Sequence, residues 1–378
     1  MEAPVTGEIL RVLEQMPDPR GDNVRHRLID ILTLALCGVI CGAGDWVAVV
    51  CYAHQKKAWF ESFLELACGI PSHDTFGRVF ARLDPEELEK CFLTWMNTLV
   101  KLGGGKLVAI DGKSLKSSFE HGWDKSGMAH MVSAFVQANH MVFAQTTCDG
   151  KGRELDAIAR LLKLLELEGS VVTIDALGCQ VKIAELIVEA KADYVLQVKD
   201  NQPTLHAKLK TLLAEAVLEK LAGWKGDYWQ ETNGGHGRIE TRKIWVIRDV
   251  KHLGETGRLW PGLKSVALVE RTRQVGAAVS VERHYYISTL DGRKSARQFL
   301  EYSRGHWSVE NNLHWQLDVS FEEDRRRIRK DHGAENFSRL CRMALNLLKK
   351  ETTAQCGIKT KRLCCGWSDD YLLKVIAG

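Results

Sequence analysis

Two short apolar runs, each ending in Ile-Asp, constrain this chain more than any other feature. Leu107-Val108-Ala109-Ile110 leads into Asp111, and Val171-Val172-Thr173-Ile174 leads into Asp175. Such runs, bounded by turn formers, read as buried strands. An acid at the exit of a buried strand costs free energy unless charge or hydrogen bonds compensate it. One acid of this kind reads as a turn former. Two, delivered at the same end of two strands, predict a site with two carboxylates.

The surrounding pattern predicts a mixed α/β fold. Residues 128–138 and 141–147 read as strands joined by a tight turn at Asn139-His140. Residues 154–167 carry Leu155, Ile158, Leu161, Leu162 and Leu165 at helical spacing, 179–190 reads as a second helix, and 193–198 as a strand. The order β-β-β-α-β-α-β predicts a central sheet covered by helices. Alternating stretches within about 224–292 predict a β-rich insertion. From Ser295 the pattern is helical to about Lys350, and 351–378 reads as a basic, irregular tail.

Residues 1–102 read as an all-helical N-terminal domain ahead of a catalytic domain at 103–350. Asp45, Ser72 or Asp74, and Asp84 followed by Pro85 serve as helix starts. Gly103 to Gly105 mark the boundary. Short helices with basic faces leave a DNA-binding module and a packing cap equally open.

Composition narrows the class. A net charge of +4 permits an anionic partner without requiring one, so the distribution of charge matters more than its sum. The 11 cysteines contain no Cys-x-x-Cys pair, which argues against a zinc ribbon or a thioredoxin-like site. With no leader read ahead of them, free thiols in a reducing cytosol are expected. The apolar run 28–44 contains Asp30 and falls short of the roughly 20 residues a spanning helix needs, so no membrane segment is expected.

A third acid is offered by the segment 302–324. On a helix, His306, Glu310, His314 and Asp318 follow at four-residue intervals and form one stripe. That stripe fits a solvated polar face, a zinc site through the two histidines, or a carboxylate joining Asp111 and Asp175. Three carboxylates without a thiolate suit a hard cation such as Mg²⁺ or Mn²⁺. Two such ions can run in-line phosphoryl displacement.

The motifs around these residues resemble one family closely. They are MPDPR (16–20), LIDILTLALCGV (28–39), GIPSHDTFGRVFARLDP (69–85) and AIDGKSLK (109–116). They continue with VVTIDALGCQ (171–180), ADYVLQVKDNQ (192–202), HGRIETR (236–242) and RGHWSVENNLHWQLDVSFEED (304–324). In this order they resemble the bacterial insertion-sequence DDE transposases of the ISAs type, which include the H-repeat-associated proteins. The resemblance implies an RNase H-like catalytic domain with Asp111, Asp175 and Glu310 as catalytic, metal-holding triad and two Mg²⁺ or Mn²⁺ ions per site. It implies cleavage of element ends in double-stranded DNA, transfer of a 3′-hydroxyl into target DNA, and a homodimer pairing two ends. The protein would be cytoplasmic, at the nucleoid when bound to DNA. A catalytically silent DNA-binding relic and an RNase H-like nuclease without strand joining are the alternatives. One departure is visible: in the Tyr-x-x-Arg-x-x-x-Glu-x-x-x-x-x-x-Lys pattern of many such enzymes, the Arg slot holds His306 and the Lys slot Leu317, with only Tyr302 and Arg304 nearby.

Phosphates near the acids call for Arg and Lys. Lys113 and Lys116 follow the first acid, and Lys199 and Asn201 leave the last strand of the expected sheet. Arg304 precedes the third acid. Arg325, Arg326 and Arg327 begin a run of five basic residues in six. His236, Arg238 and Arg242 are further candidates in the insertion. His306, His314 and Asp318 are read as supporting residues or as alternatives to the third acid.

Overall fold

The computed structural model describes residues 7–22, 24–116, 118, 128–148, 153–235 and 237–377. The first hundred residues form α1 (Glu8–Leu13), α2 (Leu28–Ile40), α3 (Trp46–Gln55), α4 (Lys57–Phe60), α5 (His73–Arg82) and α6 (Pro85–Leu99). Three starts are capped by side chains. Asp45 accepts from the Ala48 N–H at 2.8 Å, Ser72 from Thr75 at 3.3 Å, and Asp84 from Glu86 at 2.8 Å just ahead of Pro85. Ser72, not Asp74, is the cap of α5.

The α/β body opens with an antiparallel meander of β1 (Leu107–Ser114), β2 (His130–Val136) and β3 (Met141–Cys148). Then follow α7 (Glu154–Leu164), β4 (Val171–Ile174), α8 (Val181–Glu189) and β5 (Asp193–Val198), with β4 parallel to both β1 and β5. This order of strands and helices is the RNase H-like arrangement. After α9 (Pro203–Leu218) come β6 (Gly226–Gly235), β7 (Arg238–Ile247), α10 (Glu255–Arg258), β8 (Ser265–Val275) and β9 (Ala278–Ser288). The β-rich insertion is not a detached unit. β9 pairs antiparallel with β5, so the sheet runs β3-β2-β1-β4-β5-β9-β8-β7-β6.

The segment from Ser295 is not one long helix. It breaks into α11 (Ala296–His306), a π-helical turn at Glu310–His314, α12 (Trp315–Val319), an irregular crossing, and α13 (Gly333–Lys350). The break has a sequence cause. Between Glu322 and Asp331 only Ile328 is apolar, so a helix there would have no face to bury. Arg325 with Arg329, and Arg326 with Lys330, would also set like charges four residues apart.

The tail also departs from expectation, forming α14 (Ile358–Trp367) and α15 (Asp369–Ala377). Its basic residues are partly internal. Arg362 donates to the Val39 and Ile40 carbonyls at 2.9 and 3.3 Å, satisfying the last turn of α2, and Lys361 donates to the Leu348 carbonyl at 3.0 Å.

The core explains how these parts join. Every residue of α2 except Ile29 is buried, as is all of α13 from Asn336 to Leu348. Helices buried on all sides belong at a centre, and these two pack together; α13 buries Asn336, Arg339 and Arg342 there only because each is hydrogen-bonded or paired. One continuous cluster runs from the N-terminal helices into the sheet. Polar ties cross the same junction: Asn336 donates to the Phe80 and Leu83 carbonyls, both at 2.9 Å, and Arg339 meets Glu89 at 3.3 Å.

Strand alternation positions the site. Leu107, Val171 and Val195 lie under α11 with Phe299 and Leu300, whereas Val108, Val172 and Leu196 face the other core. Asp111 and Asp175 share the parity of Leu107 and Val171, so both belong to the α11 side. α11 can approach β1 closely because Gly305 lacks a Cβ; one built there would fall inside contact distance of Leu107 and Gln137.

Candidate active site

Ile110 is paired with Ile174 in the parallel register of β1 and β4, so the two acids stand level; Asp175 leaves β4, but Asp111 lies within β1, which continues to Ser114 through its pairing with β2. Asp111 Oδ1 accepts from the Gly112 N–H at 2.9 Å. Asp175 starts a short turn, its Oδ1 accepting from Leu177 at 3.0 Å and Gly178 at 3.4 Å. Asn201, leaving β5, donates to the Ala176 carbonyl at 2.6 Å and ties that turn to the sheet edge.

The stripe of 306–318 faces the sheet. His306 Nδ1 meets Thr173 Oγ1 at 3.3 Å, and His314 Nδ1 lies 3.6 Å from Asp111 Oδ2. The two imidazoles therefore have different partners, which removes the geometry a shared zinc ion needs. Asp318 accepts from Lys113 Nζ at 2.7 Å. Asp111, Glu310 and His314 each offer a ligand atom, all within 4.8 Å of one another; Asp175 is outside that set. A π-helical turn is an uncommon element that often marks a functional site, and Glu310 and His314 are its first and last residues.

Electrostatics make the cluster cation-seeking. Burial pushes the Asp111 carboxyl up to about 7, against the Gly112 N–H, and the negative charges of Asp175, Glu310 and Glu154 add to the rise. Asp175 is raised as well, chiefly by burial. Burial holds His314 down at about 3, helped by Arg342 and Lys113, so its imidazole is neutral at physiological pH. Its Nε2 is buried without a hydrogen-bond partner among the described residues. Two carboxylates without a thiolate suit a hard divalent cation, and the neutral His314 imidazole beside them adds a borderline nitrogen donor.

Glu154 and His130 escaped the sequence reading. His130 Nε2 lies 3.3 Å from Glu154 Oε2, and its Nδ1 is 2.9 Å from Ser114 Oγ. A Cβ on Gly112 would collide with both side chains. A glycine inside a strand marks close approach, and Gly112, directly after Asp111, was the available signal.

Beneath the acids lies a buried charge network. Arg342, fully buried on α13, donates to Glu323 at 2.8 Å, and Glu323 also accepts from Ser338 at 2.7 Å. Burial pushes Glu323 up, but Arg342 and Lys113 outweigh it and hold the carboxyl low. Lys113 reaches Asp318 and, at 3.2 Å, Asp324. β1, α12 and α13 are pinned together at this point.

Comparison with known proteins decides the family. The Transposase DDE domain family matches residues 102–347, and the family described as DDE_Tnp_1-associated matches 10–96. "Putative transposase YncI" of Escherichia coli O157:H7 is 37% identical, over 98% of this chain and 94% of that one. "H repeat-associated putative transposase YhhI" of Escherichia coli K12 is 34% identical, over 98% and 99%. The chain belongs to the DDE transposase family. Among solved structures, a piggyBac transposase synaptic complex with hairpin DNA aligns with 96% of this chain and 77% of that chain, at 11% identity and a TM-score of 0.41.

In this DDE transposase the basic residues expected at DNA divide into two groups. Lys113 is only 8% exposed and is held by Asp318 and Asp324, so it is turned from phosphate contact to a structural pairing. Arg326 stacks on Phe337 with its guanidinium 4.5 Å from the ring centre and donates to the Phe321 carbonyl. Arg304 pairs with Glu231, and Arg238 and Arg242 with Glu240. Lys116 is exposed but bonded to Asp324 at 2.6 Å. Lys199, Arg325 and Arg327 remain exposed. His236 lies outside the described residues. Lys113→Met is expected to leave the salt dependence of DNA binding unchanged while lowering stability by about 1–3 kcal/mol, because Asp318 and Asp324 lose their shared donor. A fluorescence-anisotropy salt titration beside urea denaturation checks both; a shallower salt slope would return Lys113 to the DNA contacts.

Among the described residues no helix is long and apolar enough to cross a membrane.

Proposed function

We propose that this chain cleaves the ends of its own insertion element and joins the freed 3′-hydroxyl to target DNA by metal-dependent phosphoryl transfer. The observation that supports this reading best is the convergence of Asp111, Glu310 and His314, with ligand atoms within 4.8 Å of one another, beside Asp175. Asp111, Asp175 and Glu310 would hold two Mg²⁺ or Mn²⁺ ions. Such ions, when bound, activate the attacking oxygen and stabilise the leaving one.

The chain's own groups have separable roles. Asp111 keeps one oxygen on the Gly112 N–H and turns the other towards His314. His314, held neutral, can add a nitrogen donor or orient Asp111. Asp175, anchored through its two backbone donors, sits above β4 with its orientation set by the turn. His306 packs on Thr173 and fixes the start of the segment that carries Glu310. Because two element ends must be brought together, a homodimer on DNA is part of the proposal.

The test uses the DNA flanking the gene as substrate, with Mg²⁺, wild type beside Glu310→Gln, and strands resolved on a denaturing gel. Discrete cleaved ends and joined products from wild type alone support the proposal. Cleavage without joined product turns the reading to a nuclease, and DNA binding with no cleavage turns it to a relic.

A further inference from the structure

Charge is distributed unevenly between two clefts that flank the Glu310 segment. The cleft that contains Glu310 runs along β7, β8 and β9 and has a volume of about 890 Å³; four arginines line it against four glutamates, so it is formally neutral. Its arginines are already engaged, Arg271 with Glu240 at 2.9 Å and Arg304 with Glu231.

The second cleft, about 1170 Å³, lies between the N-terminal helices α3 and α5, the 319–333 crossing and α14. Eight Arg and Lys side chains line it against three carboxylates, an excess of five charges. The whole chain carries only +4, so the rest of the molecule is close to neutral and this cleft holds the excess. Arg327, Lys330 and Lys359 are exposed along it, and so is Arg325, which has a long contact to Glu322 at 4.0 Å. Arg78 enters from α5 on the opposite wall. Such an excess of cations over carboxylates along a concave surface focuses potential and attracts a polyanion.

The cleft is connected to the acids. Its wall begins at Val319, one residue beyond Asp318, which Lys113 ties to β1 two residues after Asp111. A backbone lying in the cleft therefore passes beside the residue that is tied to the strand carrying Asp111.

We propose that this cleft, built jointly by the N-terminal helices, the 319–333 crossing and α14, is the main groove for the phosphate backbone of duplex DNA, held without base readout. The insertion's arginines, by contrast, mainly brace one another through glutamates. This inference rests on the DNA reading above but not on catalysis, so binding can be measured separately from cleavage.

The experiment is a fluorescence-anisotropy titration of a short labelled duplex of arbitrary sequence across a range of salt, with the full chain throughout. Wild type is compared with Arg327→Ala/Lys330→Ala/Lys359→Ala, with Arg238→Ala/Arg304→Ala, and with Glu310→Gln. These substituted basic residues are exposed, and thermal melting verifies the fold. The triple variant is expected to reduce the slope of log K against log salt by about 2–3, at roughly 0.9 per lost phosphate contact. The insertion variant is expected to change it by less than about 1. Equal losses in the two variants, or no loss in the triple variant, overturns the proposal. Preference for a single-stranded RNA of equal length, lost in the triple variant, also overturns it in favour of an RNA groove. A triple-variant loss in a protein that never cleaves DNA would sustain the groove while the catalytic reading fails.

Discussion

Asp111→Asn is expected to abolish strand cleavage and, in the absence of divalent cations, to make the protein more stable than wild type. The two effects have one cause. Asp111 is largely buried and faces the charges of Asp175, Glu310 and Glu154, so its ionised form is unfavourable until a cation arrives. Its carboxyl is raised to about 7 from an ordinary value of 3.8. The folded protein thus holds the proton more tightly than the unfolded chain. Stability is fully present below about pH 4 and declines as pH rises through the window to about 7, then levels off. That is on the order of 2–4 kcal/mol. The asparagine has no proton to lose, so its urea midpoint in EDTA at pH 8 should exceed that of wild type. Cleavage should fall by about 10²–10³-fold or more, the scale on which a preorganised electrostatic group acts. Adding Mg²⁺ should raise the melting temperature of wild type and not of the variant. A variant that is destabilised in EDTA, or that still cleaves, would falsify the assignment of Asp111.

Arg342→Leu is expected to destabilise the chain by about 3–5 kcal/mol, the cost of leaving one member of a buried ion pair alone. Arg342 is fully buried, and Glu323, its partner at 2.8 Å, is 3% exposed. Lys113 is 4.0 Å from Glu323 and cannot replace a direct bond. The loss also loosens the junction of α13 with the turn that precedes it, where Asp324 and Asp318 hold Lys113. Arg342→Leu/Glu323→Leu is expected to recover much of the loss, since removing both charges removes the desolvation cost with the attraction. Urea denaturation followed by circular dichroism measures both. A single variant within about 1 kcal/mol of wild type would show that the pair is replaceable in place.

Much of the fold was legible because it is local. Strand β5 and the caps at Asp45 and Asp84 follow from apolar runs and short-range hydrogen bonds, and the meander-then-alternation order from turn residues between them. The extension of the sheet by β9 on β5 was not legible, because alternation alone does not name a strand's partner. The tail misled because Lys361 and Arg362 carry charge, and charge reads as solvated; Arg362 is buried against α2 carbonyls far away in sequence, and Lys361 against the end of α13, 13 residues back.

The site divides the same way. The apolar runs that lead into Asp111 and Asp175, and the four-residue stripe through Glu310 and His314, are written in residue spacing; that β1 continues past Asp111 to Ser114, held by β2, is not. Which charge meets which is not. Lys113 read as a phosphate contact and Asp318 as an alternative acid, yet they bond to each other across 205 residues. The sequence alone determined the elements and the candidate acids, since periodicity and capping act within a few residues. Only the tertiary structure decided which basic side chains are spent on buried carboxylates and which are left facing the cleft, because ion pairing depends on distance and burial in space.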